Sequence, residues 1–472
     1  MITAFLFVLM YASYLIALGI GTRLAVIKGL GIETHKRRLS NLLAHGLFMG
    51  IFIHVFLLNI LQWFTFSNAL ILVIMSLVFA TCLGIIIYTT VINGGLHNST
   101  RIKPQQVITI FLILTASWLV AYNSYQVPNL AWDTWTVWLG RAKQWYYHGL
   151  GVPIVQTHEW IHSGTGLLNL SSHYPDGLSL IFFPLLYLSD PVKPLLLGLY
   201  LFIYGFLVLL MCNRLQKINA PFYLRIFLVV VMYSTPLLIN HLLLPGYADL
   251  IMAVYILLIM LGLLDYNDQK KPALRLAVIA YALMLPLIKI EGWVWLIIFL
   301  FSHSFIMWFN LKQRLIILSA MASVFILWFV LGGFSFTTPF GPLTVSPSEI
   351  NLFNKAYLSF AFTNVTHTVF NGLLWQYNWS LLWFGLPFLL LYMLFSKHNK
   401  AQQVSHLFFV LALAVILTLF YLTPAAKYAL DYTAINRIFL QLMPCYIFLI
   451  FSLLTGVIHR TEPPQNIQSS VS

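Results

Sequence analysis

Charge is what this chain has least of. Of its 472 residues only 8% are Asp, Glu, Lys or Arg, against 60% hydrophobic residues. A soluble globular protein carries about 25% charged residues, and a soluble chain this apolar would expose too much apolar surface to stay dispersed. Intrinsic disorder is excluded from the other side, because disordered chains are poor in apolar residues. Cysteine is scarce as well. Cys82, Cys212 and Cys445 lie inside apolar runs with no CxxC or metal-like spacing, so no disulfide framework is implied. What remains is an all-α polytopic membrane protein. The net charge of +13 invites a nucleic-acid partner, but basic residues in a membrane protein fix its orientation, and no nucleic acid is expected.

A spanning helix needs roughly 20 mostly apolar residues. Such runs lie near 2–27, 41–65, 68–92, 107–125, 195–212, 222–243, 249–264, 273–289, 292–309, 315–332, 375–395, 405–422 and 438–457. They predict about thirteen transmembrane helices. The first run has no basic stretch before it and no small-x-small cleavage site, so it reads as a retained helix and not as a signal peptide. A further stretch, Leu178–Leu188, is interrupted by Pro184. It reads as a short re-entrant or interfacial segment, which is tolerated only where protein or a cavity covers its backbone.

Thirteen crossings place every short basic segment on one side: 28–40, 93–106, 213–221, 265–272, 310–314, 396–404 and 458–472. Counting 178–188 as a full crossing would split them. The positive-inside rule thus selects thirteen helices, with the N-terminus outside and the C-terminus cytoplasmic. On this topology the cytoplasmic side holds 18 Lys/Arg and 4 Asp/Glu, and the outer side 7 and 8. The basic excess therefore records insertion. The tail 458–472 is cytoplasmic, and its polar end, Thr461–Ser472, is expected to be disordered.

Two outer loops are long, about 126–194 and about 333–374. Long loops in compact proteins tend to be functional. Both are aromatic-rich, which suits an interfacial aromatic belt as well as a binding surface. Eight of the twelve acids fall outside: Asp133, Glu159, Asp176, Asp190, Asp249, Glu291, Glu349 and Asp431. An ionisable group at membrane depth is a functional candidate, because burying it is costly.

Five constellations stand out. Ala131-Trp132-Asp133-Thr134-Trp135, followed by Trp138, Arg141 and Lys143, sits in the first outer loop. Indole faces stack on pyranose rings and a carboxylate can accept a proton from an attacking hydroxyl; the same Asp133 also suits a helix N-cap. If 133–147 is one α-helix, Val137 and Gly140 share the face of Asp133. Ser172-His173-Tyr174-Pro175-Asp176-Gly177 carries a turn signal and a His/Asp pair that could help hold a metal. Leu244-Pro245-Gly246-Tyr247-Ala248-Asp249 opens a helix, Lys289-Ile290-Glu291-Gly292 lies at an outer turn, and Asp431-Tyr432-Thr433-Ala434-Ile435-Asn436-Arg437 leads into the last helix. Together they bring acids and bases to one membrane face, which suits an anionic headgroup and a polar acceptor. His45, His54 and Asn59 are the main mid-membrane polar groups, and read as interhelical hydrogen-bond partners.

In this order and topology the motifs resemble the C-type (GT-C) glycosyltransferases, polytopic enzymes that use polyprenyl-phosphate-linked sugars. Protein mannosyltransferases and lipid A aminoarabinose transferases belong to that superfamily. The resemblance covers about 107–457. It implies a GT-C-like catalytic core over 107–457, preceded by a three-helix extension over 1–106. Asp133 is implied as catalytic base and Asp249 as a second catalytic acid near the reaction centre. Lys289 and Arg437 are implied as cations for the donor phosphate, and Trp132, Trp135, Arg141, Lys143, His173, Asp176 and Glu291 join them as substrate-binding residues. A divalent metal, Mg or Mn, on Asp133, Asp249 and His173 is the one cofactor raised. Many relatives carry two adjacent acids in the first loop. Here Thr134 follows Asp133, which counts against a dicarboxylate or metal-centred mechanism.

The expected activity is transfer of one sugar, with inversion, from a polyprenyl-phosphate donor to a hydroxyl of a lipid, glycan or protein. It would take place on the outer, periplasmic face of a bacterial inner membrane, among membrane lipids. The competing readings are a transporter or flippase for lipid-linked glycans and an O-antigen-type polymerase or ligase. A transporter should carry its charged groups near mid-membrane on broken helices. A polymerase should centre on arginines in a late outer loop, and 333–374 has Lys355 and His367 but no arginine.

Overall fold

The computed structural model describes residues 2–30, 38–64, 66–93, 103–127, 130–169, 172–189, 192–338, 341–346, 349–352, 355–359 and 362–461. Lys36, Arg37, Arg101, Asp190 and the tail from 462 lie outside them. The described residues are mainly helical. Ten of their helices are long and apolar enough to cross a membrane, or eleven if one bent pair counts as a single span.

The chain divides into two compact units, 1–296 with 443–472, and 297–442. The first unit opens with α1 (Ile2–Gly29), α2 (Leu39–Leu61), α3 (Asn68–Asn93) and α4 (Pro104–Gln126). The first long loop follows. It contains a π-helical turn (Thr134–Trp138), α5 (Leu139–His148), β1 (Ile154–Val155), α6 (Thr157–Ser163), β2 (Leu167–Leu168) and α7 (Gly177–Phe182), which continues as a 3-10 turn to Tyr187. β1 and β2 pair in parallel. Then come α8 (Lys193–Lys217), α9 (Phe222–Ser234), α10 (Pro236–Leu243), α11 (Ala248–Gln269), α12 (Pro272–Ile288) and α13 (Glu291–Trp308), within which the division falls.

The single run expected over 222–243 is broken. α9 and α10 meet at 59°, because Pro236 lacks an N–H and its ring clashes with the preceding turn. Met232 O, four residues before Pro236, loses its helical donor at the break and accepts instead from the Tyr204 hydroxyl at 2.6 Å. α12 has only 17 residues, about 25 Å at 1.5 Å per residue, short of the roughly 30 Å hydrocarbon core.

α11 is the axis of this unit. Every residue from Ala248 to Asp265 is buried, and α8 and α12 pack against it. α7, the expected re-entrant or interfacial segment, is buried along its whole length. Its backbone is held by the N-terminal helices: Tyr11 donates to Ile181 O at 3.0 Å, and His54 Nε2 lies 3.1 Å from Leu180 O. His45 meets Tyr281 of α12 at 2.8 Å. These two histidines do bridge helices. Asn59 does not, because its amide donates to Val55 O within α2.

The second unit holds the rest of α13, α14 (Leu311–Val330) and an antiparallel meander of β3 (Phe334–Thr338), β4 (Gly341–Val345), β5 (Glu349–Leu352) and β6 (Lys355–Ser359). The late long loop thus contains a sheet that an all-α reading omits. α15 (Thr366–Phe370), α16 (Leu386–Phe395), α17 (Lys400–Leu422), α18 (Ala426–Leu430) and the start of α19 (Ile435–Thr461) follow. The run expected over 375–395 is α-helical only from Leu386, after 3-10 turns at Tyr377–Trp379 and Leu382–Gly385.

Candidate active site

The first motif begins where the chain enters the π-helical turn. Leu139 N bonds to Thr134 O, five residues back, so the α-helical spacing expected across 133–147 fails at its start. The extra residue in this turn places Val137 and Trp138 side by side in the core. Turns of this kind are frequent at functional sites. Asp133 occupies the N-cap position but makes no capping hydrogen bond to the turn. Trp132 and Trp135 are exposed and packed edge to face, 4.8 Å between centroids.

Three further contacts lead from this segment to the other motifs. Thr134 Oγ1 donates to Pro245 O at 3.0 Å. Gly246, at φ +109°, lies under the same threonine, where a Cβ would come within 2.3 Å of Oγ1. Only glycine meets both the left-handed backbone and that approach. Arg141, fully buried, donates to the Asp176 carboxylate and, at 2.8 Å, to Tyr174 O. Burial lowers the Arg141 pKa from its ordinary value and the Asp176 carboxylate opposes that shift. Trp138 packs on Tyr174 at 5.4 Å.

The Pro-Asp-Gly sequence is not an isolated turn: Gly177 is the first residue of α7 and Asp176 precedes it without capping it. Gly177 sits against the carbonyl of Leu287, where a Cβ would come within 2.2 Å. That brings the second motif to the end of α12. There Lys289, extended at φ −156°, follows the last helical residue, and Glu291 opens α13. Lys289 Nζ lies 3.0 Å from Asp249 Oδ1 and 2.9 Å from Glu291 Oε1. Asp249 is completely buried in the first turn of α11, and Lys289 is buried with it. Both acids begin helices, where the helix dipole favours negative charge. Glu291 Oε2 is buried with no hydrogen-bond partner.

Four motifs distant in sequence therefore form a closed circuit: 131–143 touches 245–246 and 174–176, the second motif touches the end of α12, and Lys289 returns to Asp249. Sequence reasoning missed the clasp of Thr134 over Gly246, for which the positive-φ requirement of Pro-Gly was the available signal. It also treated Lys289 as a cation for phosphate. In the structure two carboxylates already share that ammonium. Lys143 is exposed on α5 and has no ion pair among the described residues. His173 is exposed beside Tyr174, 4.5 Å between ring centroids.

Arg437 belongs to the second unit, in the first turn of α19. Its motif is tied locally: Asn436 accepts from Trp379 Nε1 at 3.3 Å and donates to Gln376 at 3.2 Å, and Asn371 donates to Tyr432 at 2.7 Å. Asp431 is exposed and accepts from the Thr433 hydroxyl and amide, which hold its pKa below the ordinary carboxylate value.

The trio Asp133, Asp249 and His173 does not fit a divalent metal. The Asp249 carboxylate is bonded to an ammonium, which would repel a dication. Among the described residues no group of three or more His, Cys, Asp or Glu is arranged to hold a metal. Comparisons with protein-family models, curated proteins and solved structures return no match to this chain.

Proposed function

We propose that this protein is an integral membrane glycosyltransferase. It moves a sugar from a polyprenyl-phosphate donor to an acceptor hydroxyl on the outer face of a bacterial inner membrane, on the thirteen-crossing, N-outside topology. The observation that carries the reading is the closed circuit of four motifs, which holds a buried carboxylate, Asp249, and two exposed indoles, Trp132 and Trp135. Asp133 is the base. It takes the acceptor proton as the acceptor oxygen bonds to the anomeric carbon. The bond from that carbon to the phosphate oxygen breaks, and polyprenyl phosphate leaves with the electron pair. A positioned base contributes about 10²–10⁴-fold.

Lys289 does not bind the phosphate while two carboxylates hold it. It holds Asp249 and Glu291 in place. The unpartnered Glu291 oxygen suits an acceptor hydroxyl or a water held for it. Lys143 is the cation open to the donor phosphate on this loop. Trp132 and Trp135 offer faces for the sugar ring.

The bent pair α9–α10 favours a second reading, a flippase for lipid-linked glycans, since broken helices mark transporter sites. Purified protein in nanodiscs, given several polyprenyl-phosphate sugars and a mixed acceptor extract, separates the two. The transferase reading expects release of polyprenyl phosphate with at least one donor. Intact donors throughout, with donor translocation in proteoliposomes, would favour the flippase.

A further inference from the structure

Outside the candidate site, the first unit contains a long groove of about 1250 Å³ lined by α1, α2, α4, α8 and α9. Its walls are apolar for most of their length, including Ile113, Leu114, Leu201 and Phe206. Along α4 the lining runs from Gln106 to Tyr125, a rise of about 28 Å, comparable to the hydrocarbon core. None of the candidate site residues lines it.

One end of the groove is basic. Arg38 and Arg225 line it there, and among the described residues no Asp or Glu does so. Arg38 donates to Gln216 at 2.8 Å and Arg225 to Gln105 at 2.8 Å, so each guanidinium is steered by a neutral amide and not by a carboxylate. Arg225 is 5% exposed, and its Nε is buried with no hydrogen-bond partner. The nearby acids Asp265 and Asp268 are taken by Arg214 and Lys217. A buried guanidinium with neutral partners is costly unless an anion completes it. At the opposite end Lys193 already donates to Ser124 O at 2.8 Å.

We infer that this groove is a binding site for an anionic diacyl phospholipid. Its phosphate sits between Arg38 and Arg225, and its chains lie along α4 and α8. Guanidinium groups bind phosphate through paired, charge-assisted hydrogen bonds, and the apolar walls take the chains. The inference does not depend on the transferase reading.

The test is native mass spectrometry and lipid analysis of the purified full chain, with phosphatidylglycerol and phosphatidylethanolamine as probes added back after delipidation. The wild type should retain phosphatidylglycerol and prefer it over phosphatidylethanolamine. Arg38→Gln/Arg225→Gln should weaken phosphatidylglycerol binding about tenfold or more, leaving any weak phosphatidylethanolamine binding unchanged. Ala121→Trp, which fills the groove without removing charge, should reduce binding of both. Melting temperature and monodispersity confirm that each variant is folded. Equal retention of both lipids, or a groove that holds only an isoprenoid phosphate insensitive to the two arginine changes, would overturn the inference.

Discussion

α11 carries an ion cluster at each end, and the two are built differently. At its start Asp249 and Glu291 share the single ammonium of Lys289. Sixteen residues on, about 24 Å along the axis, Asp265 and Asp268 meet Arg214 and Lys217. The far cluster is balanced, acid for base, and opens to solvent through Asp268 and Lys217, 41% and 31% exposed. The near cluster holds a wholly buried aspartate, one ammonium shared by two carboxylates and, among the described residues, a carboxylate oxygen with no partner. A balanced cluster at a helix end anchors the helix. A carboxylate oxygen left buried without a partner is a pattern expected of a site.

The contrast can be broken most forcefully at Lys289. Removing one member of a buried pair leaves an uncompensated charge and costs about 3–5 kcal/mol. Lys289→Met should therefore lower the melting temperature in detergent sharply, and Lys289→Met/Asp249→Asn should recover much of the loss. A double variant as unstable as the single one would show that the ion pair is not what holds this end. A smaller effect is expected at Thr134. Thr134→Val removes the hydroxyl that ties the first loop to Pro245, at about 1 kcal/mol, and should loosen the loop to limited proteolysis before it lowers the melting temperature.

At the far end Asp268→Asn removes a half-exposed partner. It should cost no more than about 1 kcal/mol and leave any transfer rate unchanged, as read by the same melting and activity assays. The smallest effect belongs to Asp431, an exposed acid in neither cluster. Its pKa is depressed by the Thr433 hydrogen bonds. Its contribution is present above the ordinary carboxylate value and is lost as pH falls through the depressed one. Wild type and Asp431→Ala should therefore converge in melting temperature at the acid end of a pH series and differ slightly at neutral pH.

Much of this contrast is legible in the sequence, because membrane insertion writes it in composition. The apolar runs locate the helices, and the scarcity of acids singles out Asp133, Asp249 and Glu291. The rest depends on information that hydropathy does not carry. α11 and α14 have similar mean hydropathy, 2.2 and 1.9, yet the spanning window of one is fully buried and that of the other has no buried residue. Lipid tails and protein core are equally apolar, so a run of Leu and Ile does not say which it faces. Partner choice is also invisible. Lys289 reads as a free cation until the fold sets Asp249 beside it, and Asp265 reads as loop charge until α8 brings Arg214 to it. The π-helical turn at 134–138 shifts every face assigned from α-helical spacing. The strands at 334–359 lay inside a loop defined only by what it lacked.

The transferase reading is tested most directly by comparing Asp133→Asn with Asp268→Asn in one transfer assay, with polyprenyl-phosphate sugar as donor and release of polyprenyl phosphate as the readout. Both proteins should insert and purify as the wild type does. Asp133→Asn should lose about 10²–10⁴-fold in rate while Asp268→Asn keeps its rate. Near-normal transfer by Asp133→Asn, or equal losses in the two variants, would contradict it.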